Sequence, residues 1–289
     1  MFATSAGKKN TPTISAALAD AHRRLAAQSE SFGLDAQVLM AHIVEKDRAW
    51  VLAHPEAMLN ERQSAAWESA QQRLENGEAL PYLLGEWEFF GLKLKVAPDV
   101  LIPRPETELL VETAIAWLGQ HTDRRRIVDV GTGSGCIPVA IAANLPDVRI
   151  VAGDVSAAAL DIARANVERF RLQDRIQLVK SDLLQEISGE FDVITSNLPY
   201  IPSERLPSLD VSKREPHIAL DGGADGLRFI EPFLEQACAR LAPSGLVLAE
   251  TDASLEAAAL HLAKRNWPNA QVEVRKDLAR LPRLLVIQT

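Results

Sequence analysis

The chain has 289 residues, of which 47% are hydrophobic and 24% charged, so it can bury a sizeable core and has an ordinary globular composition. Its formal net charge of −8 argues against a broad basic surface that binds nucleic acid through phosphates. The two cysteines, Cys136 and Cys238, are far apart, and the six histidines lack metal-binding spacing, so we expect neither a disulfide framework nor a metal site.

The apolar residues form no run that approaches the roughly 20 residues needed to cross a bilayer. The first residues of the chain also lack the apolar segment of a signal peptide. We therefore expect a cytoplasmic protein with no membrane partner.

The beginning of the chain changes character after its first residues. Residues 1–12 are small and polar, which predicts a flexible arm. Beyond them, Leu18, Ala21 and Leu25 recur at helical spacing, and similar apolar stripes continue to about Glu78. Residues 13–84 are therefore predicted to form a small helical domain whose stripes build a bundle core.

Residues 85–105 are predicted to form a β-hairpin and a linker. Apolar and polar residues alternate between Trp87 and Val96 around a central Gly91, which is typical of a hairpin. Pro103 and Pro105 keep the following segment extended, because each disfavours helix at the residue before it. Thr107 is then expected to cap a helix.

The remainder, residues 106–289, alternates short apolar strands with helical stretches. This alternation predicts an α/β fold with a mostly parallel sheet covered on both faces. The last two strands are joined by a segment too short for a crossover helix, so we expect them to be antiparallel. The predicted strands begin near Arg126, Arg149, Ile176, Phe191, Gly245, Val272 and Leu284.

A glycine-rich turn follows the first of these strands. Glycines in such a turn permit positive φ angles and allow a ligand to approach the backbone. The spacing differs from a dinucleotide fingerprint, and no P-loop lysine follows. A tight strand–helix turn without a ligand is the alternative interpretation. The candidate cofactor-binding residues of the turn are Gly131, Thr132, Gly133, Ser134 and Gly135.

Two acidic residues end the second and third strands. Asp154 stands where a doubly wound sheet presents a carboxylate to ribose hydroxyls, although it could instead cap the next helix. Asp182 can accept a hydrogen bond from an exocyclic amine, with Leu183 packing on an adenine ring, or it can be a simple turn residue. The carboxyl ends of the strands together predict one cleft.

The fourth strand is followed by Asn197, Leu198, Pro199 and Tyr200. The Asn197 side chain and the Leu198 carbonyl can both accept hydrogen bonds, Pro199 stiffens the loop, and Tyr200 offers a flat face. Such a group can hold a planar amide or amino group by its two N–H bonds. Without the neighbouring features, an ordinary turn would be the simpler interpretation.

These motifs together resemble a class I S-adenosylmethionine-dependent methyltransferase of the (D/N/S)PPY group. Residues 85–92 and 101–108 resemble one family in particular, the protein-(glutamine-N5) methyltransferases that modify bacterial peptide chain release factors (the HemK/PrmC family). The resemblance runs from about Leu34 to the end of the chain. It implies a Rossmann-like, mostly parallel seven-stranded sheet with an antiparallel last strand, next to a small N-terminal helical domain that docks the substrate.

The resemblance also assigns roles at the predicted cleft. S-adenosylmethionine is expected over the glycine turn, with its ribose on Asp154 and its adenine on Asp182 and Leu183. Asn197 is expected to contact the cofactor as well as the substrate. The substrate is expected to be the glutamine of the Gly-Gly-Gln motif of a release factor, held by Asn197 and Leu198 against Tyr200. No metal and no stable nucleic acid partner are implied.

The sequence departs from the family at two positions. Leu198 stands where the family usually has proline, so the loop loses some rigidity while the backbone carbonyl remains available. Glu250, Thr251 and Asp252 replace the Glu-x-Gly that often follows strand five, and the sequence assigns them no role.

Three other functions use similar features. A methyltransferase acting on a ribosomal protein glutamine would carry the same loop, and residues 85–92 and 101–108 favour release factors only modestly. An adenine-N6 DNA methyltransferase also grips an amino group, but the acidic balance argues against it. A non-catalytic cofactor-binding protein would explain Leu198, but not the retention of every polar group with a predicted role.

Overall fold

The computed structural model describes residues 11–25 and 32–289, and the chain divides into two compact units, residues 1–84 and 85–289. The predicted flexible arm, residues 1–12, lies outside the described residues except for its last two positions. Of these, Pro12 accepts a hydrogen bond through its carbonyl oxygen from the backbone N–H of Leu59, at 3.0 Å. We call residues 1–84 the N-terminal unit and residues 85–289 the C-terminal unit.

The described part of the N-terminal unit is helical. Its core contains Ile14, Leu39, Met40, Val51 and Trp67, all at most 4% exposed. A reciprocal pair of hydrogen bonds between Asn60 and Gln63 caps its longest helix. The helices are α1 (Ile14–Leu25), α2 (Phe32–Val44), α3 (Arg48–Ala53), α4 (Glu61–Glu75) and α5 (Leu80–Leu84).

The C-terminal unit begins with an antiparallel hairpin of β1 (Glu86–Phe89) and β2 (Leu92–Lys95). The two residues between the strands, Phe90 and Gly91, have φ angles of 52° and 70°. Positive φ at both central positions is what a tight hairpin with the natural strand twist requires, and a glycine adopts it without steric cost. The hairpin predicted between Trp87 and Val96 is therefore present.

Beyond the hairpin, helices and strands alternate as the sequence predicts. The helices are α6 (Glu108–Gln120), α7 (Cys136–Asn144), α8 (Ala157–Arg169), α9 (Ile230–Cys238) and α10 (Glu256–Asn266). The strands are β3 (Arg126–Val130), β4 (Arg149–Asp154), β5 (Ile176–Lys180), β6 (Phe191–Ser196), β7 (Leu241–Glu250), β8 (Gln271–Lys276) and β9 (Pro282–Gln288).

The seven strands from β3 to β9 form one sheet in the order β5-β4-β3-β6-β7-β9-β8. Only β9 runs against its neighbours, since it pairs antiparallel with both β7 and β8 while the other pairs are parallel. The predicted mostly parallel sheet with an antiparallel last strand is confirmed. The strand order reverses between β3 and β6, and ligands of such sheets bind at the carboxyl ends of the strands beside that point.

Alternate side chains of the strands supply the two hydrophobic faces of the sheet. Ile127 and Leu246 pack with α6 and α7, whereas the next residue of each strand, Val128 or Val247, packs with α9 and α10. All four side chains are at most 2% exposed. Because both faces are buried, the strands read as nearly continuous apolar runs in the sequence.

Candidate active site

A cavity of about 470 Å³ opens at the carboxyl ends of β3, β4, β5 and β6. Its volume lies within the roughly 300–1,000 Å³ that is usual for small-molecule sites. It brings together most of the predicted site residues, and Gly135 and Tyr200 are the two that do not line it. The lining includes Gly131, Thr132, Gly133, Ser134, Asp154, Asp182, Leu183, Asn197, Leu198 and Pro199.

The glycine loop, residues 131–135, folds back on β4. The backbone N–H groups of Gly131 and Thr132 both donate to the carbonyl oxygen of Gly153, at 2.9 Å. Gly131 has a φ of 74°, and a Cβ there would lie 2.9 Å from Cδ2 of Leu198. The positive φ favours glycine at this position, and the end of the Leu198 side chain would have to shift to admit a Cβ.

The loop is also held from behind by one buried amide. Asn166 of α8 is 0% exposed, and its Nδ2 donates to the carbonyl oxygens of Ser134 and Lys95, at 2.8 and 2.9 Å. Its Oδ1 accepts from the backbone N–H of Lys95, at 2.7 Å. Asn166 thus joins the hairpin, α8 and the glycine loop, and the sequence pattern gave no signal for this role.

Asp154 ends β4 with both carboxylate oxygens directed at backbone donors. Oδ2 accepts from the N–H of Gly133, at 2.8 Å, and Oδ1 accepts from the N–H of Ser156, at 2.9 Å. The cap of α8 is Ser156 rather than Asp154, because the Ser156 hydroxyl accepts from the N–H of Ala159. Burial raises the pKa of Asp154, while these backbone hydrogen bonds lower it.

Asp182 and Leu183 continue the same wall after β5. The Asp182 side chain is exposed at the cavity, and its Oδ2 accepts from Nε2 of Gln185, at 3.4 Å. Leu183 is 8% exposed and has a φ of 52°, a left-handed conformation that is uncommon for leucine. An aliphatic wall beside an exposed carboxylate suits a flat ring that carries an amino group.

Three buried polar atoms beside the glycine loop have no hydrogen-bond partner within the described residues. They are Oδ2 of Asp129 and the hydroxyl oxygens of Thr132 and Ser134. Burial is the main cause that raises the pKa of Asp129, to about 6. Thr132 and Ser134 line the cavity and Asp129 does not, so the two hydroxyls are the polar groups available to a ligand there.

The loop after β6 supplies the opposite wall. Leu198 is 7% exposed and packs among Val128 and Val130 of β3. Because the side chain is anchored in this way, packing restrains the loop where the family usually relies on a proline ring. Asn197 and Pro199 also line the cavity, so a carboxamide stands next to the glycine loop.

Asn197 belongs to a chain of hydrogen bonds that joins two lining residues of the cavity, Asn197 and Thr107, to the buried Glu250. Its Nδ2 donates to the hydroxyl of Thr107, at 3.2 Å, and the Thr107 hydroxyl donates to Oε2 of Glu250, at 2.6 Å. The hydroxyl of Tyr200 donates to Oε1 of Glu250, at 3.1 Å. We call Asn197, Thr107, Glu250 and Tyr200 the amide network.

The amide network changes two expectations from the sequence. Thr107 stands at the position before α6, but its side chain makes no capping hydrogen bond and binds Glu250 instead. Tyr200 is tied to Glu250 and does not line the cavity, in contrast to the flat face expected of it. Glu250, which had no assigned role, is 4% exposed and accepts both hydroxyls.

The segment around Pro103 is fixed by a second buried carboxylate. Glu215 is 8% exposed; its Oε2 accepts from the N–H of Ile102, at 2.9 Å, and its Oε1 pairs with Arg104. Arg104 lines the cavity. This pairing joins residues 101–105 to the long connection between β6 and α9, and the sequence showed only that both segments resemble the family.

Within residues 11–25 and 32–289, no group of three or more His, Cys, Asp or Glu side chains is placed to hold a metal ion. Within the same ranges, every helix is too short or too polar to cross a membrane.

The sheet has the strand order of a class I methyltransferase, whose methyl donor is S-adenosylmethionine. The glycine loop after β3 and the acid at the end of β4 are features of the same class. The family model described as "Methyltransferase small domain" matches residues 105–209, and the "PrmC N-terminal domain" matches residues 16–85. A methyltransferase from Pyrococcus furiosus has the same fold, with a TM-score of 0.52 at 21% identity over 76% of this chain and 98% of its own.

Relatives of known name identify the family. The release factor glutamine methyltransferase of Rhodopirellula baltica is 38% identical over 90% of this chain and 90% of its own length. That of Bordetella pertussis is also 38% identical, over 87% of this chain and 93% of its own length. The chain therefore belongs to the release factor glutamine methyltransferase family, as residues 85–92 and 101–108 predict.

Proposed function

We propose that this protein transfers the methyl group of S-adenosylmethionine to the side-chain amide nitrogen, N5, of the glutamine in the Gly-Gly-Gln motif of peptide chain release factors. The observation that carries the proposal is one cavity that holds both the glycine loop and the carboxamide of Asn197. The named relatives, which match this chain along most of its length, support the same substrate. A release factor substrate is a component of translation, so we propose a cytoplasmic location.

One wall of the cavity, formed by the glycine loop, Asp154, Asp182 and Leu183, fits S-adenosylmethionine. The backbone of residues 131–134 suits its methionine end, and Asp154 suits its ribose hydroxyls. Asp182 and Leu183 suit its adenine. When bound, the sulfonium supplies an activated methyl group for displacement by a nucleophile.

The residues of the opposite wall orient that nucleophile. A glutamine amide nitrogen is a weak nucleophile, because its lone pair is delocalised into the adjacent carbonyl. The Asn197 side-chain oxygen and the Leu198 carbonyl would each accept one N–H of the substrate amide and so fix the nitrogen. Both acceptors also favour the positive charge that develops on the nitrogen in the transition state.

The contribution of this wall is therefore positioning rather than proton abstraction. Holding two reactants in the correct geometry is worth about 7–11 kcal/mol at the extreme. Asp154 faces backbone donors on the first wall, and Glu250 lies behind Thr107. The proton is left to depart to water after the methyl group has moved.

The N-terminal unit is proposed to dock the release factor. It matches the PrmC N-terminal domain over residues 16–85, and the chemistry proposed above uses residues of the C-terminal unit alone. A unit that serves recognition should affect the concentration of release factor needed for half-maximal rate more than the rate at saturation.

Labelled methyl transfer to a purified release factor tests the proposal. We expect label on the wild-type release factor and none on its Gln→Ala variant in the Gly-Gly-Gln motif. Equal label on both would contradict the assignment of the target residue. Label confined to a ribosomal protein or to duplex DNA, offered in parallel, would identify one of the two related activities instead.

A further inference from the structure

The amide of Asn197 could in principle present either of its two polar atoms to a ligand. An asparagine side chain has similar energies when its terminal amide is turned by half a rotation, so its hydrogen-bond partners decide the orientation. Only the orientation that offers Oδ1 can accept an N–H from a substrate amide. An Asn197 that offered Nδ2 would face the substrate with a second donor.

The partners behind Asn197 permit one orientation. A threonine hydroxyl has a single hydrogen, and that of Thr107 goes to Oε2 of Glu250, at 2.6 Å. Thr107 can then offer only a lone pair to Asn197, whose Nδ2 donates to it at 3.2 Å. One N–H of Nδ2 is held by Thr107, which fixes the orientation of the amide and leaves Oδ1 as the acceptor for a ligand in the cavity.

Glu250 keeps the Thr107 hydrogen on its own side because both carboxylate oxygens already accept. Oε1 takes the hydroxyl hydrogen of Tyr200, at 3.1 Å. Burial and the neighbouring Glu250 charge raise the pKa of Tyr200 far above its usual value, so the phenol remains a donor. Glu250 is 4% exposed, and Thr107 is 1% exposed, so water competes little for these bonds.

We propose that Thr107 and Glu250, supported by Tyr200, are positioning residues for methyl transfer: they set the orientation of the Asn197 amide so that Oδ1 accepts an N–H of the substrate carboxamide. The proposal rests on the proposed function for the identity of that substrate. It assigns a role to the Thr107 hydroxyl, and it explains why a buried carboxylate stands behind a residue that binds a neutral amide.

A second consequence is electrostatic. Burial raises the pKa of Glu250, while the hydrogen bonds from Thr107 and Tyr200 and the charge of Arg283 lower it. In its ionised form Glu250 polarises the Thr107 hydroxyl, and the Asn197 N–H that donates to this hydroxyl polarises the amide in turn. Successive hydrogen bonds of this kind strengthen one another in a low-dielectric interior. The network therefore places more negative charge on Asn197 Oδ1, which faces a nitrogen that becomes positive during the reaction.

Substitutions at Thr107 test the proposal with matched controls. Thr107→Val keeps the shape of the side chain and removes the hydroxyl, and Thr107→Ser restores it. Thr113→Val is the control, because Thr113 is a buried threonine of α6, the helix that follows Thr107, and its hydroxyl donates to the carbonyl of Leu109. We expect Thr107→Val to lower kcat for the release factor about tenfold or more, with Thr107→Ser within about threefold of wild type.

The orientation itself is read by nuclear magnetic resonance. The side-chain amide signal of Asn197, assigned by its disappearance in Asn197→Asp, should shift in Thr107→Val and Glu250→Gln and stay unchanged in Thr113→Val. Cofactor affinity by calorimetry should stay within about twofold in Thr107→Val, Glu250→Gln and Thr113→Val, since none of these three removes a group proposed to hold the cofactor. A variant that had lost its structure in general would instead show weaker cofactor binding and changes in many signals besides that of the Asn197 side chain.

Two results would overturn the proposal. One is a kcat for Thr107→Val equal to that of Thr113→Val, and the other is a Thr107→Ser variant no better than Thr107→Val. If the wild-type protein methylates no release factor, the proposed function fails, but the Asn197 signal still tests the network. An unchanged signal in both Thr107→Val and Glu250→Gln would then reject the positioning role by itself.

Discussion

The two walls of the cavity are built in different ways. The wall proposed for the cofactor consists mainly of backbone, with Gly131 and Thr132 bonded to Gly153 and the N–H of Gly133 bonded to Asp154. The wall proposed for the substrate depends on side chains, because Asn197 reaches Glu250 through Thr107. A backbone wall tolerates changes of side chain wherever the turn survives. A side-chain wall fails when any one group of its network is removed.

The contrast predicts different consequences of substitution on the two sides. Changes to the substrate wall should lower the rate of methyl transfer and leave cofactor binding nearly intact. Changes to the cofactor wall should alter cofactor affinity or the stability of the fold. Each variant below changes one residue that belongs either to the substrate wall or to the cofactor wall.

Asn197→Ala is expected to have the largest effect. It removes a preorganised acceptor for the reacting amide, so methyl transfer should fall by about 100- to 1,000-fold while cofactor affinity changes far less. Asn144→Ala is a matched control, since the Asn144 side chain donates to a carbonyl of its own helix. Labelled methyl transfer and calorimetry measure the two quantities. A parallel loss of rate and cofactor affinity would show that Asn197 serves only the structure of the loop.

Asp129→Asn tests the buried carboxylate beneath the cofactor wall. The pKa of Asp129 in the fold is about 6, above the usual 3.8, so the native state binds more protons than the unfolded state between these values. The stability associated with the protonated form is present below pH 3.8 and is lost as pH rises through about 6. At about 1.36 kcal/mol per pKa unit, the loss is about 3 kcal/mol, and Asp129→Asn should not show it.

Urea unfolding at pH 4.5 and pH 7.5, without cofactor, measures this difference. The free energy of unfolding of Asp129→Asn relative to wild type should rise between the two pH values. Asp147→Asn is a control whose effect on stability should depend on pH in the opposite direction, because the hydrogen bond with Arg125 lowers the pKa of Asp147. If the free energy of unfolding of Asp129→Asn has the same pH dependence as that of wild type, Asp129 is not a buried acid of raised pKa.

The same division explains what could be predicted from the sequence. The fold follows from local pattern, since apolar strands of β3 to β9 alternate with helices and the last connection is too short for a crossover. The cofactor wall follows from the spacing of glycines and from acids at strand ends, which are also local. These features lie within short stretches of chain, so one sequence suffices to find them.

The amide network could not be predicted in this way. Asn197 and Thr107 are 90 positions apart, and Thr107 and Glu250 are 143 apart. The only local signal at Thr107 was its place before a helix, which indicated a cap that is not formed. Side-chain orientation at long sequence separation depends on the packing of the sheet and helices, and no periodicity in the sequence encodes it.

Gly131→Ala tests whether the cofactor wall depends on backbone conformation. Its φ of 74° costs an alanine about 1–2 kcal/mol, and the new Cβ would meet Leu198 at 2.9 Å. We expect the free energy of unfolding to fall by this amount and cofactor affinity to weaken as the loop moves. Gly119→Ala in α6 is the control, because it has open space around it. An unchanged stability and cofactor affinity in Gly131→Ala would contradict the backbone character of this wall.

Asp154→Ala separates two roles that the same carboxylate can have on the cofactor wall. Its loss removes the acceptor for the N–H of Gly133, and under the proposed assignment it also removes the acceptor for the ribose hydroxyls. We expect affinity for S-adenosylmethionine to fall about tenfold, as for a hydrogen bond to a charged group. Asp161→Ala is the control, since Asp161 is an exposed residue of α8 paired with Arg164.

A cofactor analogue without the two ribose hydroxyls completes the test. If Asp154 binds the ribose, wild type should lose affinity for the analogue, and Asp154→Ala should bind cofactor and analogue almost equally. If Asp154 only supports the glycine loop, the substitution should weaken both ligands by the same factor. The second outcome would leave the cofactor wall made almost entirely of backbone, and the contrast with the side-chain wall around Asn197 would then be sharper than proposed.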